Sequence, residues 1–344
     1  MTTILGLNFH HDTSAALIVD GRLYAAEEER WSGIKHYRRH HWKSVLTAPA
    51  QALAWCLEAA GIGPHDIDSV WVPSMRPTPA AGIWLSTERE ELAAELPEPL
   101  GSRRHALGAD FGPGRERITG YELTPNRVDR VYQATPTVMP GPRRVHHSLG
   151  HFYRNFATRI IPPGDEAEGS LMALAALGEP SRYRDDVQQL LHLEIEGTVR
   201  IEPPLGSADT TTPISIGNRA WTAGSAADAS FGERADLAAA VQEVFSGAVI
   251  HVARHLRRVT EATSLVFSGG CAFSSHLNGR LAEEADFDTL FIAPAPHDAG
   301  TALGAALYGR HHQMRQPRIP RRWMPHGDRA PGWFRLQRFR RGID

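Results

Sequence analysis

Residues 264–310 read SLVFSGGCAFSSHLNGRLAEEADFDTLFIAPAPHDAGTALGAALYGR, and this run decides the fold class. Ser264 to Ser268 is a short apolar strand closed by Gly269-Gly270. A helical stretch at 275–285 follows, then a strand at 289–293, a loop at Pro294–Asp298 and a helix at 299–310. Strand–helix–strand–helix order needs crossover connections, so at least part of the sheet is parallel and the chain is α/β. Just before this run, Leu237, Val241, Val244, Phe245, Ala248, Val249, Val252 and Leu256 recur at helical spacing and predict a long helix over 235–258. Further upstream, 187–202 reads as two strands joined around Glu196-Gly197, and 169–178 and 145–158 read as helices. The chain opens with strands at 4–9, 15–19 and 22–27. Asp20-Gly21 turns the hairpin, and the loop Asn8 to Asp12 joins the first two strands. A helix at 48–60 stopped by Gly61 and a strand at 68–72 complete this end. Residues 76–142, rich in Pro, Gly and Arg, read as a variable, substrate-facing insert with one helix at 86–96. Residues 314–344 read as an arginine-rich, poorly packed tail.

Composition narrows the function classes. The chain has 344 residues, 42% hydrophobic and 22% charged, enough for a sizeable core and two subdomains. A net charge of −2 does not suggest nucleic-acid binding. No apolar run approaches the roughly 20 residues of a membrane span, and the N-terminus carries no basic segment with an apolar core, so a cytoplasmic location is expected. Two cysteines, Cys56 and Cys271, fit a reducing compartment. Eighteen histidines invite a search for metal ligands.

Four constellations carry chemistry. His147 and His151 are four apart; on a helix both imidazoles share one face within reach of one divalent cation, or they are an unrelated pair. Asp298 sits between a strand end and a helix start, where parallel sheets place ligand sites, and an aspartate there also makes a good N-cap. Gly300 beside it permits close helix packing or close approach of a ligand. Gly269-Gly270, with Asn278 downstream, lets a nucleotide lie against bare backbone or is a plain strand-to-helix turn. Cys271 has no evident base beside it and reads as a buried thiol. Finally, a histidine of His10-His11-Asp12 could act as general base, and Arg30, Lys35 and His36 could hold an anionic group. The Glu27-Glu28-Glu29 run beside them reads equally as a solvated strand end.

Taken in order, these motifs resemble the carbamoyltransferase family of nodulation-factor, cephamycin and aminoglycoside biosynthesis. The resemblance is carried by Ile4-Leu-Gly-Leu…His11-Asp12-Thr-Ser-Ala-Ala-Leu-Ile-Val-Asp-Gly, by Glu28-Glu29-Arg30-Trp31…Lys35-His36 and by His147-Ser-Leu-Gly-His151. It continues through Met172-Ala-Leu-Ala-Ala-Leu-Gly-Glu-Pro, Ser268-Gly-Gly-Cys-Ala-Phe…Asn278-Gly and His297-Asp298-Ala-Gly-Thr-Ala-Leu-Gly. It implies an actin/Hsp70-like pair of ribonuclease-H-like lobes: an N-terminal lobe over 1–150 containing the insert at 76–142, and a second, trimmed lobe over 151–313. It implies His147, His151 and Asp298 as ligands of a divalent metal, most simply Fe2+, and His11 as base. Asp12 would orient substrate or nucleotide, and Gly269, Gly270, Asn278 and Gly300 would line an ATP or carbamoyl-adenylate site. The expected reaction is carbamoyl transfer to a hydroxyl or amine of a small-molecule acceptor in bacterial secondary metabolism.

The sequence departs from the family in three places. Gly33 stands where an arginine is usual. The YrdC-like half, which makes carbamoyl-adenylate from carbamoyl phosphate and ATP, is not in this sequence, so the expectation is that a separate YrdC-like protein is a partner, that the sequence is a fragment, or that the donor differs. Phe152 to Leu171 lacks the family's Asp-Gly-x-Gly-Glu loop, and Asp165 or Glu166 is the candidate substitute ligand. Two rival readings stand beside the main one: a different acyl donor or condensation, and a non-catalytic partner of a full-length enzyme.

Overall fold

The computed structural model describes residues 2–9, 12–37, 49–73, 84–85, 104–109, 118–124, 127–134, 137–138, 144–145, 147–162, 167–205 and 209–316. Its contacts divide into two units. The first takes the described residues up to Leu85, the four described residues between 123 and 128, and those from Ala293 onward. The second takes 104–122 and 129–292.

In the first unit, β1 (Thr3–Asn8), β2 (Ser14–Val19), β3 (Arg22–Glu27), β4 (Ser69–Pro73) and β5 (Trp84–Leu85) form a sheet of order β3-β2-β1-β4-β5. β1, β2 and β3 pair antiparallel, and β4 joins β1 in parallel. Alternate residues of β1 point to opposite faces. Leu5 and Leu7 pack with Ala52, Cys56 and Leu57 of the helix Ala50–Ala60. Ile4 packs with Ala302, Leu303 and Ala306 of the helix Gly300–Tyr308. Gly6 permits this second contact. A Cβ there would lie 1.9 Å from the Ala302 carbonyl oxygen, so only glycine lets the helix backbone seat on the strand.

The second unit repeats the strand order. β6 (Arg104–Ala109), β7 (Ile118–Thr124), β8 (Arg127–Gln133), β15 (Ser264–Gly269) and β16 (Thr289–Ile292) form a sheet of order β16-β15-β6-β7-β8, and β15 runs parallel to both neighbours. Numbered by their place in each unit, both sheets run 3-2-1-4-5, the duplicated ribonuclease-H-like arrangement. Smaller antiparallel pairs are β9 (Thr137–Val138) with β10 (Arg144–Val145), β11 (Leu191–Leu193) with β12 (Val199–Ile201), and β13 (Ile214–Ile216) with β14 (Arg219–Trp221).

The core of this unit is the helix Phe231–Thr260, whose eight apolar positions read from the sequence are all buried. It starts with a capping box, Ser230 and Glu233 each bonding the other's backbone N–H. By length and composition it could cross a membrane, but most of it is buried among this unit's own residues.

Two boundaries differ from the sequence reading. The second sheet begins at Arg104, not after residue 150, and Gly300–Tyr308 covers the first sheet rather than the second. The described part of 76–142 is strand, because its Gly- and Pro-rich punctuation hides the short hydrophobic alternations between. The helix expected at 86–96 and the tail beyond residue 316 lie outside the described residues.

Candidate active site

The loop end of the first sheet collects ionisable groups because of hairpin register. β2 and β3 pair with Ser14 opposite Glu27. The residues just before Ser14 and just after Glu27 therefore leave the hairpin together. Asp12 turns back at φ 57° with its side chain only 4% exposed. After the short helix Glu29–Ser32, His36 also takes a left-handed backbone, at φ 57°. The Asp12 N–H donates to the His36 carbonyl at 3.2 Å. The His36 N–H donates to Glu29 Oε2 at 2.8 Å. Across this frame His36 Nδ1 meets Asp12 Oδ1 at 2.6 Å, and Lys35 Nζ sits 3.3 Å from Glu29 Oε1. Among the described residues, Asp12, Glu29 and His36 form the group of three metal-type donors whose ligand atoms all lie within 4.8 Å of one another.

Beside this frame lies His297, on the loop before the helix Gly300–Tyr308, with Nε2 3.6 Å from Glu27 Oε1. Burial alone would lower its pKa. The close Glu27 carboxylate, with the charges of Asp12 and Asp298, outweighs burial and raises it. Asn8 ties the loop down, donating from Nδ2 to the Asp12 carbonyl at 3.0 Å and to the Asp298 carbonyl at 3.1 Å. Ser14 Oγ donates to the Ala299 carbonyl at 2.8 Å.

Several expectations change here. Lys35 and His36 do not stand as an open anion cradle, because each faces a carboxylate; Arg30 is exposed on its short helix. Glu28 is no solvated strand end. It is buried, and its carboxylate accepts from the N–H groups of Gln51 and Ala52, capping the helix Ala50–Ala60 across the chain. Asp298 is not the helix cap. Ala299 holds that position without a side-chain bond, while the Asp298 carbonyl accepts from Thr301. Gly300 is buried as the first helical residue. His11, the expected base, and Asp165 and Glu166 lie outside the described residues.

In the second unit the paired histidines do not share a helix. Ser148 is the N-cap of the helix Leu149–Ile160, so His147 precedes the helix at φ 53°, while His151 lies in its first turn. His147 Nδ1 accepts the Ile201 N–H at 3.0 Å. A neutral imidazole has one lone pair, and a cation needs it. With Nδ1 accepting, the proton sits on Nε2 and neither nitrogen can coordinate a metal. His147 as placed does not fit the expected iron site. Burial and then the Arg200 charge lower its pKa, which keeps it neutral. The sequence held a signal for this: Ser148 ahead of an apolar run is an N-cap pattern, and it outranks the spacing of the histidines.

The Gly-Gly turn is formed as expected. β15 ends at Gly269 with φ 97°, Gly270 opens a short 3-10 turn, and the helix Ser275–Glu284 follows. On that helix Asn278 Nδ2 donates to the Ala272 carbonyl at 2.8 Å, and Asn278 Oδ1 is buried without a hydrogen-bond partner. Desolvation pushes the Cys271 thiol up to about 12, which removes it as a nucleophile.

Residues 128–307 match the family model described as Carbamoyltransferase N-terminus. Nodulation protein NolNO of Sinorhizobium fredii is 27% identical over 329 residues, covering 87% of this chain and 46% of the relative. Nodulation protein NolO of Bradyrhizobium diazoefficiens is 36% identical over 47% of this chain and 28% of the relative. The 3'-hydroxymethylcephem-O-carbamoyltransferase of Streptomyces clavuligerus is 29% identical over 52% of this chain and 32% of the relative. This chain thus spans about half or less of the length of these relatives. Among solved structures, full-length HypF in its phosphate- and nucleotide-bound form is similar over 90% of this chain at 13% identity and a TM-score of 0.48, too loose a likeness to argue from. The family match covers more than half of the chain, from β8 to the helix Gly300–Tyr308, and it places the protein in the carbamoyltransferase family.

Proposed function

We propose that this chain performs the transfer half of O-carbamoylation, moving a carbamoyl group from an activated phosphoric anhydride to a hydroxyl of a small natural product. The observation that carries this reading is the family match over 128–307, which includes both the Gly-Gly turn and the His297-Asp298 loop. The acceptor oxygen bonds to the carbamoyl carbon, the carbon–oxygen bond to phosphate breaks, and the phosphate departs with the electron pair. The hydroxyl proton must be taken up by the protein as the attack proceeds.

Carbamoyl-adenylate is the donor that the residues suit best. The bare backbone of Gly269 and Gly270 and the buried Asn278 Oδ1, which lacks a partner, suit an adenosine group. The bound nucleotide would supply the leaving group. In the first unit, Glu27, Asp12 and Asp298 raise the pKa of His297 against burial and so favour its charged form. Because His147 offers no lone pair, no step is assigned to a metal. A YrdC-like activity would supply the donor.

The test is direct. Purified protein is given synthetic carbamoyl-adenylate and a 3'-hydroxymethylcephem, the acceptor named for the Streptomyces clavuligerus relative, and the cephem is examined for the mass gain of one carbamoyl group. Asn278→Leu should weaken AMP binding by roughly tenfold, from the loss of the buried acceptor. Lack of transfer to the cephem and to a panel of sugar alcohols, from carbamoyl-adenylate or carbamoyl phosphate, would sink the reading.

A further inference from the structure

We infer that Arg310 anchors a second ligand site, for the phosphate or carboxylate group of a small molecule, at the end of the first sheet away from the Asp12–His36 loop. This goes beyond the carbamoyl-transfer reading and does not depend on it.

Tight packing places Arg310. It is the second residue of the π-helical turn Gly309–Gln313 that ends the helix Gly300–Tyr308. Such turns are frequent at functional sites. Gly309 makes the placement possible: a Cβ there would lie 2.3 Å from Trp71 Nε1, so only glycine lets the helix end press against β4. This seat carries Arg310 Nη2 to the Asp20-Gly21 turn between β2 and β3, 3.7 Å from where a Gly21 Cβ would stand. Apart from the turn's own residues, no other described atom lies within 4 Å of that point, so the guanidinium can be approached beside the glycine.

The guanidinium is buried without a protein partner. Arg310 is only 7% exposed, and among the described residues no oxygen accepts a hydrogen bond from it. The charge of Asp20 reaches it, but that side chain is exposed and its Oδ1 takes the Thr2 N–H at 2.9 Å. Burial lowers the Arg310 pKa more than Asp20 raises it, and a guanidinium keeps its proton all the same. A helix C-terminus favours a cation; that accounts for a basic residue here but not for burying one whose N–H fork meets no carbonyl. Arg159 of the second unit is the opposite case, a buried arginine whose donors are spent on carbonyls. A buried charge is costly until an opposite charge meets it, and the planar fork matches two oxygens of a phosphate or carboxylate.

The place is separate from the loop end of the same sheet. β1 spans Thr3–Asn8; Asp20 is bonded to Thr2 at one end, and Asn8 ties the Asp12 loop at the other, roughly 17 Å away.

Thermal melting of the whole chain tests this, in chloride buffer of constant ionic strength with part of the chloride exchanged for inorganic phosphate or acetate. We expect about 20 mM phosphate to raise the Tm of the wild type about 2 °C more than that of R310M, which keeps an apolar stem and loses the charge. D20N removes a nearby negative charge at an exposed position and should tighten the apparent phosphate affinity about threefold. An Arg310-dependent shift from acetate and not phosphate upholds the site and makes its ligand a carboxylate. Equal shifts in wild type and R310M with both anions overturn it. If R310M does not fold, D20N decides: a phosphate response that is unchanged or weaker means that Asp20 itself balances Arg310, and the proposal fails.

Discussion

Two mostly buried histidines, one in each unit, respond to burial in opposite directions. His297 sits among Glu27, Asp12 and Asp298 and is driven toward the charged form. His147 sits under a backbone N–H with Arg200 nearby and is driven toward the neutral form. Burial pushes both the same way, so the neighbours decide. The difference separates a unit that gathers carboxylates and imidazoles at one loop end from a unit whose buried polar groups mainly brace backbone. Arg159 shows the second pattern well. It is fully buried, and its guanidinium donates to the carbonyls of Asn155, Trp221 and Thr212 and to Asn155 Oδ1.

The comparison can be broken or sharpened by substitution. The largest effects should come from the framework of each unit. Arg159→Met should cost about 3–5 kcal/mol, because several buried carbonyls lose their donor. Hydrogen exchange over the helix Leu149–Ile160 would report it. Gly6→Ala should cost about 3 kcal/mol or more, because its Cβ meets backbone rather than a side chain that can swing away. The accompanying sign is lost protection in β1 and in Gly300–Tyr308; normal protection in both would mean that the helix can lift off the sheet.

Glu28→Ala should cost about 1–2 kcal/mol by removing a cap from the helix Ala50–Ala60, with exchange speeded at Gln51 and Ala52. Faster exchange confined to the strand end would mean that the carboxylate is no cap. The smallest effects are in pH dependence. His147 has a folded pKa below its ordinary 6.5, so its contribution to stability is complete above that value and is lost as pH falls below it. His297 has a folded pKa above 6.5; its contribution is complete below that value and is lost as pH rises through the folded pKa. Melting curves of His147→Gln and His297→Gln against the wild type should therefore diverge from it on opposite sides of neutrality. Divergence on the same side would erase the contrast between the units.

Much of the architecture was legible beforehand. The Asp20-Gly21 hairpin, the long helix through Leu237 and Leu256, and the alternation over 264–310 all stand close to their expected bounds. These elements announce themselves because one side of each is apolar at a regular period. The strands at 104–133 did not, since glycine, proline and arginine interrupt every short run there. The site residues divide in the same way. Asp12 and His36 were both candidates, but as separate groups with separate tasks. Glu27 reads from the sequence as part of a strand end and His297 as a flank of Asp298, and nothing in the sequence pairs the two.

By itself the sequence determined the α/β class, the order of most elements and membership of the family, because periodicity and motif order are local properties of a chain. Only the tertiary structure decided which groups meet: Asp12 with His36, Glu27 with His297, Glu28 with Ala52, and Ile201 with His147. A polar contact between residues tens or hundreds of positions apart leaves no period to read. It exists only once sheet register and a glycine-tight helix have carried both partners to the same place.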